Sequence, residues 1–410
     1  MKTVLIISEY NPFHKGHKYQ IDDVRNTFGE DTAIIAVMSG NYTQRGDVAV
    51  MDKYLRAECA VRGGVNLVLQ LPFPYSTSSA EFFAGAGVEI ANRLGIVDVL
   101  AFGSENGDVA TLSEIANNMH ASVFTSALKK AQSDENRKNL GYPKLCELVY
   151  NEVFGSELSS SFFAPNNILA IEYLKALKAT NSAIIPYTTK RIGAGYNSEA
   201  IIDSAYQSAT AIRNVLFENT FSAIDYLPIS SKETICNALD RNLLPCETEK
   251  LSSAILSYFR LSSPTASCNI HDADGGLYNR LIASSIKATS ISTLVELAST
   301  KKYTTARIKR AMWYSFFGVT SSDVRTPPRY TQVLAMDTVG QALLKRIKKT
   351  TDFPIITKPS STEGLDEIGA RQKKLSDNAD FIFELSKPSP SSADTVLKAK
   401  PFIKSVEKSR

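Results

Sequence analysis

Five short runs rich in β-branched and apolar residues, Thr3–Ser8, Thr32–Met38, Asn66–Leu71, Val97–Phe102 and Ser182–Tyr187, constrain this chain more than any other feature. Continuous apolar runs of this length are the mark of strands buried on both faces, as in a parallel sheet covered by helices above and below. The segments between them, Asp52–Val61 and Ser79–Leu94 among them, carry apolar residues at helical spacing. Strand and helix in alternation predict an α/β fold, a Rossmann-like doubly wound parallel sheet, over residues 1–225.

Past about Asn219 the pattern changes. Ser252–Leu261, Leu277–Ile286, Ser292–Ala298, Thr304–Phe317 and Gly340–Lys349 all have helical spacing, with almost no strand-like run among them. This predicts a mainly α-helical C-terminal domain over residues 226–385, and the chain's 410 residues suit two domains. Ser386–Asp394 is rich in Pro and Ser, so residues 386–410 read as a flexible tail.

Hydrophobic residues at 43% and charged residues at 21% exclude wholesale disorder. The first apolar run, Val4–Ile7, is too short for a signal peptide, and no run reaches the roughly 18 apolar residues of a membrane span, so a cytoplasmic location is expected. Cys59, Cys146, Cys236, Cys246 and Cys268 lack CxxC spacing and suggest neither a disulfide framework nor a zinc site. Charge is uneven. Residues 301–360 hold twelve Lys and Arg against Asp323, Asp337 and Asp352, a net +9 on a chain whose total is +4, so the remainder is −5. A basic block on an acidic body is the footprint of a polyanion-binding surface.

Directly after the first run comes Glu9-Tyr10-Asn11-Pro12-Phe13-His14-Lys15-Gly16-His17, then a helix-compatible stretch from Lys18 to Arg25. The N-terminus of such a helix offers unpaired N–H groups and a positive dipole end to phosphate, and Gly16 allows close backbone approach to a ligand. His14 and His17, three apart, are placed to donate hydrogen bonds to charge developing on a phosphoryl oxygen. Metal binding is the alternative, but His-x-x-His without a third ligand nearby is poor for zinc, and no metal site is expected.

In this position the HxGH motif resembles the signature of the nucleotidyltransferase superfamily, whose members adenylate small molecules or carboxylates. Ser208-Ala209-Thr210-Ala211-Ile212-Arg213 partly matches a second signature of that superfamily, ISSTxxR. Ser208, Thr210 and Arg213 then become phosphate contacts, although the same residues also read as an N-capped helix with a solvated arginine. The closer resemblance is to the tRNA(Met) cytidine acetate ligase family and runs nearly end to end. It is carried by Glu9–His17, Met38–Asp47, Leu71–Ala84, Phe102–Glu105, Pro165–Leu169, Lys190–Ser198 and the SATAIR stretch. Lys301–Arg310, Thr326–Asp337 and Pro354–Ser360 continue it. Gln70, where an acidic residue is expected, and the tail after about Gln372 depart from the family pattern.

The resemblance implies an ATP-dependent ligase. It would activate acetate as acetyl-adenylate, release pyrophosphate and acetylate the wobble cytidine of elongator tRNA(Met) to N4-acetylcytidine. It implies catalytic roles for His14 and His17. It implies ATP contacts from Ile7, Ser8, Glu9, Tyr10, Asn11, Pro12, Phe13, His14, Lys15, Gly16, His17, Lys18, Tyr19 and Gln20, and from Gly103, Asn166 and Arg191. Asn166 equally reads as a helix N-cap after Pro165. Mg²⁺ is expected with ATP as a charge neutraliser, though no carboxylate cluster identifies its ligands, and no obligate protein partner is expected.

Lys301, Lys302, Arg307, Lys309, Arg310, Lys345 and Arg346 are the candidate tRNA contacts. Each cluster alone reads as a solvated helix face, and the charge asymmetry tips the pair toward RNA backbone. Two other readings fit parts of the sequence. A small-molecule adenylyltransferase explains HxGH but leaves the basic block idle, and an RNA-binding protein with a vestigial nucleotide site leaves the histidines idle.

Overall fold

The computed structural model describes residues 1–134, 137, 140, 142–155, 160–192, 206–218, 220–264 and 269–405. Five parallel strands form its heart: β1 (Thr3–Ser8), β2 (Ala33–Ser39), β3 (Leu67–Leu71), β4 (Val99–Ser104) and β5 (Ile185–Lys190). They stand in the order β5-β4-β1-β2-β3, each within a few residues of the run that predicts it.

Alternation along each strand splits its side chains between two cores. Leu5 and Ile7 of β1 join Ile35 and Val37 of β2 on one face, under helices Ala80–Leu94 and Pro165–Ala179. Val4 and Ile6 join Ile34, Ala36 and Met38 on the other, under helices Lys15–Phe28 and Lys53–Arg62. The period of two places successive side chains on opposite faces, and a helix layer on each completes a three-layer α/β/α sandwich.

The C-terminal half departs from the expectation in two places. Thr331–Met336, inside the stretch read as helical, is a strand, β6, that pairs antiparallel with β3. Two short strands, β7 (Ile355–Ile356) and β8 (Phe402–Ile403), then pair in parallel with β6. The segment read as a flexible tail therefore contributes to the sheet, and the Asp394–Lys398 helix precedes that contact. Covering the β3 edge satisfies backbone groups that would otherwise be open to solvent.

Helices Ser252–Leu261, Leu277–Ser285, Ile291–Ala298, Thr305–Phe317 and Glu367–Phe383 enclose a third core around Trp313 and Leu294. Tyr42, Val48 and Phe73, which follow β2 and β3, insert into that core. A polar joint lies beside it. The Lys53 ammonium and the Asp380 carboxylate form a buried ion pair, Asn41 Nδ2 donates to Asp380 at 2.9 Å, and Lys53 donates to Gln70 Oε1 at 2.9 Å. Burial works against the charge on Lys53, but Asp380, with Tyr54 and Asp52 beside it, outweighs the burial and keeps the ammonium protonated. Gln70 Nε2 donates onward to Ser376 Oγ at 3.2 Å. This explains the departure at Gln70: its amide bridges a cation and a hydroxyl, where an acid would crowd a second negative charge against Asp380.

Removing one partner of a buried pair leaves the other charge stranded. Lys53→Met should therefore cost about 3–5 kcal/mol, lowering the urea midpoint. Combining it with Asp380→Asn should recover most of that loss.

Candidate active site

Carbonyl oxygens at the carboxyl ends of β1 and β2 have run out of ladder partners and need donors. Arg56, fully buried on the Lys53–Arg62 helix, supplies them: Nη1 donates to the Glu9 carbonyl at 2.5 Å, Nη2 to Ser39 at 3.2 Å and also to Gly40, and Nε to Met51 at 3.0 Å. Burial lowers its pKa to about 10, which still leaves it charged at neutral pH. The guanidinium thus fixes the start of the loop that leads from β1 to the first helix.

That helix, Lys15–Phe28, opens on the two histidines. His14 is the N-cap and its Nδ1 accepts the Gly16 N–H at 3.0 Å, while His17 Nδ1 accepts the His14 N–H at 3.2 Å. Reciprocal capping of this kind is normally the work of Ser or Thr with Glu or Gln. The rings stack with centroids 3.8 Å apart. Because each Nδ1 accepts, the ring proton of each neutral imidazole sits on Nε2, leaving two N–H donors side by side. A Cβ on Gly16 would lie 2.9 Å from His14 Cε1, so the glycine is needed for the capping ring itself, a constraint that ligand approach alone does not reveal.

Burial, then the positive charges of Arg191 and Arg213, push the His14 pKa down to about 3. Burial, then His14, then Arg191, hold His17 well below the ordinary imidazole value. Arg213 Nη1 donates to the Asn11 carbonyl at 3.0 Å and Nη2 to Thr210 Oγ1 at 3.0 Å, so this arginine is turned into the site and is not a solvated helix residue. Ser208 Oγ accepts the Ala211 N–H at 3.0 Å at the start of its helix.

These elements enclose one cavity at the carboxyl edge of the sheet, where ligands bind in open α/β folds. Of the residues singled out in the sequence, Ile7, Ser8, Glu9, Tyr10, Asn11, His14, His17, Gln20, Gly103, Asn166, Arg191, Ser208, Thr210 and Arg213 line it. Gly16 and Tyr19 line a smaller adjoining lobe. Phe13 is instead buried in the core against the Gly63 backbone, Lys15 donates to the Asp225 carbonyl at 2.9 Å, and Lys18 pairs with Asp22. Pro12 is among the lining residues of neither space.

Asn166 is not the cap of its helix, because Ala164 is the N-cap and Pro165 the first residue. The Glu105 carboxylate does the capping, accepting from Asn167 N at 2.8 Å and Asn166 N at 3.2 Å, and it also receives Asn166 Nδ2 at 2.8 Å. This orients the Asn166 side chain at the cavity wall. A Cβ on Gly103 would meet Arg191 at an ordinary 3.6 Å and the Thr189 carbonyl at 4.0 Å, so the protein itself leaves room there.

Lining residues that the sequence did not single out are Thr43, Gln44, Arg45 and Asp47 from the loop after β2, and Phe83, Phe102, Leu169 and Tyr173 from the apolar wall. The loop is held from outside. Lys309 Nζ donates to Asp47 at 2.6 Å, Trp313 Nε1 donates to the Gly46 carbonyl at 2.7 Å, and a Cβ on Gly46, at φ +84°, would strike the Lys309 side chain.

The basic block also has internal partners. Lys309 serves Asp47, Arg310 pairs with Asp272 at 2.7 Å, and Arg307 pairs with Asp274 and donates to the Asp272 carbonyl at 3.2 Å. Lys302 reaches the Gly275 carbonyl at 3.2 Å, and Arg346 makes a 3.4 Å contact with Thr3 Oγ1. Lys301, Lys302, Lys345 and Arg346 are exposed. Internal acids thus engage three of the seven cations through ion pairs.

Residues 1–396 match the family described as HIGH Nucleotidyl Transferase. A tRNA(Met) cytidine acetate ligase of Caldanaerobacter subterraneus is 37% identical over 363 residues, covering 87% of this chain and 89% of that protein. One from Acetivibrio thermocellus is 34% identical over 390 residues, 92% of each. The chain belongs to the tRNA(Met) cytidine acetate ligase family of HIGH nucleotidyltransferases. The crystal structure of Thermotoga maritima TmcAL bound with alpha-thio ATP superposes with a TM-score of 0.87 at 28% identity, covering 99% of this chain and 100% of that one. The apo form of the same ligase gives 0.89. The mostly parallel sheet and its flanking helices are thus the fold of this ligase family.

The neutral histidine pair has a measurable consequence. Nitrogen-15 spectra at pH 6 should show both imidazoles as neutral Nε2–H tautomers. The folded pKa of His14, about 3, lies below the unfolded value near 6.5. Its contribution to stability is therefore complete above about pH 6.5 and is lost as pH falls toward 3, at about 1.4 kcal/mol per pH unit. Replacing His14 by Asn, a good N-cap, should remove this part of the acid sensitivity in a pH series of unfolding midpoints.

Proposed function

We propose that this chain activates acetate with ATP and transfers the acetyl group to the wobble cytidine of elongator tRNA(Met), giving N4-acetylcytidine, AMP and pyrophosphate. One observation carries the reading: two neutral imidazoles present Nε2–H groups at a helix N-terminus, in a cavity that Arg191 and Arg213 also line.

An acetate oxygen attacking the α-phosphorus of ATP builds negative charge on the equatorial oxygens as the bond to pyrophosphate breaks. Fixed donors aimed at that charge lower the barrier, each contributing on the order of 10²–10³ in rate. His14 and His17 fit this role because they are neutral and capped in place, so no reorganisation is needed when charge develops. Arg191 and Arg213 balance the leaving pyrophosphate. Gly103 leaves space for the nucleoside, and Asn166 offers an amide to the base. The apolar wall of Phe83, Phe102, Leu169 and Tyr173 suits the low polarity that strengthens such interactions.

Glu9 and Asp47 are the carboxylates lining the cavity, and among the described residues no group of three His, Cys, Asp or Glu is placed to hold a metal ion. The residues present fit a Mg²⁺ ion that arrives on the triphosphate, with these two carboxylates as its protein neighbours, better than a dedicated cage. Such an ion would neutralise phosphate charge. On the acceptor side, Lys301, Lys302, Lys345 and Arg346 remain candidates for RNA backbone contact. The work belongs in the cytoplasm with tRNA, and among the described residues no helix is long and apolar enough to cross a membrane.

The direct test supplies ATP, acetate and total tRNA, together and separately, and analyses the recovered nucleosides. N4-acetylcytidine that forms only with all three supports the ligase, and ATP turnover without it moves the acceptor to a small molecule. His17→Ala should lower acetate-dependent exchange of pyrophosphate into ATP by at least about 10²-fold, with tRNA affinity nearly unchanged. Lys301→Ala with Lys345→Ala should weaken tRNA binding and flatten its salt dependence, each lost phosphate contact reducing the slope by about 1. Lys309→Ala should instead impair turnover at saturating tRNA, because it frees Asp47.

A further inference from the structure

Along the Pro165–Ala179 helix, Asn166, Leu169 and Tyr173 follow one another at spacings of three and four, so one face of that helix looks into the cavity. The helix begins beside Glu105, just past β4, and its side chains lean toward that end, which carries the Tyr173 phenol up to the cavity floor. The phenol ring lies against Phe102, with centroids 5.7 Å apart, and packs with Ile7 and Phe83 in the core on one face of the sheet. Tyr10 and Phe13, beside His17, and Ile212, beside Arg213, pack on the opposite face. The cavity therefore has two unlike sides, phosphate donors on one and an apolar floor on the other. None of the lining cations Arg45, Arg191 and Arg213 comes from the Ala80–Leu94 or Pro165–Ala179 helices that build the floor.

Packing alone leaves two properties of the floor unaccounted for. The Tyr173 hydroxyl is buried and meets no hydrogen-bond partner among the described residues, and a buried donor left unpaired is costly. The floor is also tight. Ile7, Phe83, Phe102 and Tyr173 line the cavity although none is more than 7% exposed. A Cβ on Gly87 would lie 2.5 Å from Ile7 Cδ1, so this glycine lets the Ala80–Leu94 helix close directly against β1.

Resting on the ligase reading, we propose that this floor is the acetate site. The methyl group sits among Ile7, Phe83, Phe102 and Leu169, and the Tyr173 hydroxyl donates to one carboxylate oxygen, leaving the other to face the α-phosphate held by His14 and His17. A space closed on so many sides suits a methyl group. A neutral donor holds the acid without the ion pair that would blunt its oxygen as a nucleophile. Glu9 lies within electrostatic reach of the phenol, but Arg45, Arg191 and Arg213 outnumber Glu9 and Asp47 around the cavity, so the anion is admitted.

Tyr173→Phe and Leu169→Ala test the assignment in acid-dependent exchange of pyrophosphate into ATP, with acetate, propionate and butyrate supplied in turn. Tyr173→Phe keeps the ring and removes an unpaired hydroxyl, so the unfolding midpoint should hold or rise, while the KM for acetate rises about tenfold or more and the KM for ATP stays level. One added methylene in a fitted apolar pocket is discriminated about tenfold or more, and Leu169→Ala should return about that factor to propionate relative to acetate. A rise confined to the KM for ATP would give the floor to the adenine and overturn the proposal. Unchanged exchange with slower acetylation of tRNA by synthetic acetyl-adenylate would give it to the acceptor base, with the same result. An acetate KM and an acid preference that both stay put would also overturn it. If the unmutated chain shows no acetate-dependent exchange, the ligase reading itself fails, and the acetate site with it.

Discussion

Arg56 is the constraint on which the site depends. A cation with no access to water is costly unless its donors are filled, and here they are filled by carbonyl oxygens of Glu9, Ser39, Gly40 and Met51. These oxygens belong to the ends of two neighbouring strands and to the residue before the N-cap of the next helix. One planar group with several fixed donors therefore sets the relative heights of the β1 and β2 loops, and with them the separation of Glu9 from the wall it faces. The histidine cap, the Arg213 contact with Asn11 and the Glu9 contact with Gln44 are all built on that platform.

The helical region is part of the same construction. Tyr42, Val48 and Phe73 reach into its core, and Lys53, Asn41 and Gln70 meet Asp380 and Ser376 beneath them. The loop that walls the cavity thus has one face toward chemistry and the other in a hydrophobic core built from residues far downstream in sequence. The Asp47–Lys309 pair spans 262 positions and joins the two faces directly.

Legibility in the sequence followed the range of the interactions. The five parallel strands could be read because burial on both faces leaves uninterrupted apolar runs, and the histidines because their spacing at a strand-to-helix turn is local. β6 was missed although Thr331–Met336 is apolar, because its pairing partner β3 lies far upstream and its neighbours are helices. β7 and β8, two residues each, leave no pattern at all. The partners of the basic cluster were illegible for a related reason: a count of cations cannot register Asp47, Asp272 and Asp274, which pair with Lys309, Arg310 and Arg307 from other segments. For Gly16 the sequence shows the backbone freedom but not the His14 ring that a Cβ would strike.

The antiparallel pairing of β6 with β3 also sets an order of events on the ribosome. β3 ends at Leu71 and its partner begins at Thr331, so at about 5–20 residues per second the nascent sheet waits for tens of seconds with its β3 edge open. Throughout that interval an apolar strand with unpaired backbone groups is available to any other extended chain. A slow codon between these two points would lengthen the exposure without altering a single contact in the finished molecule.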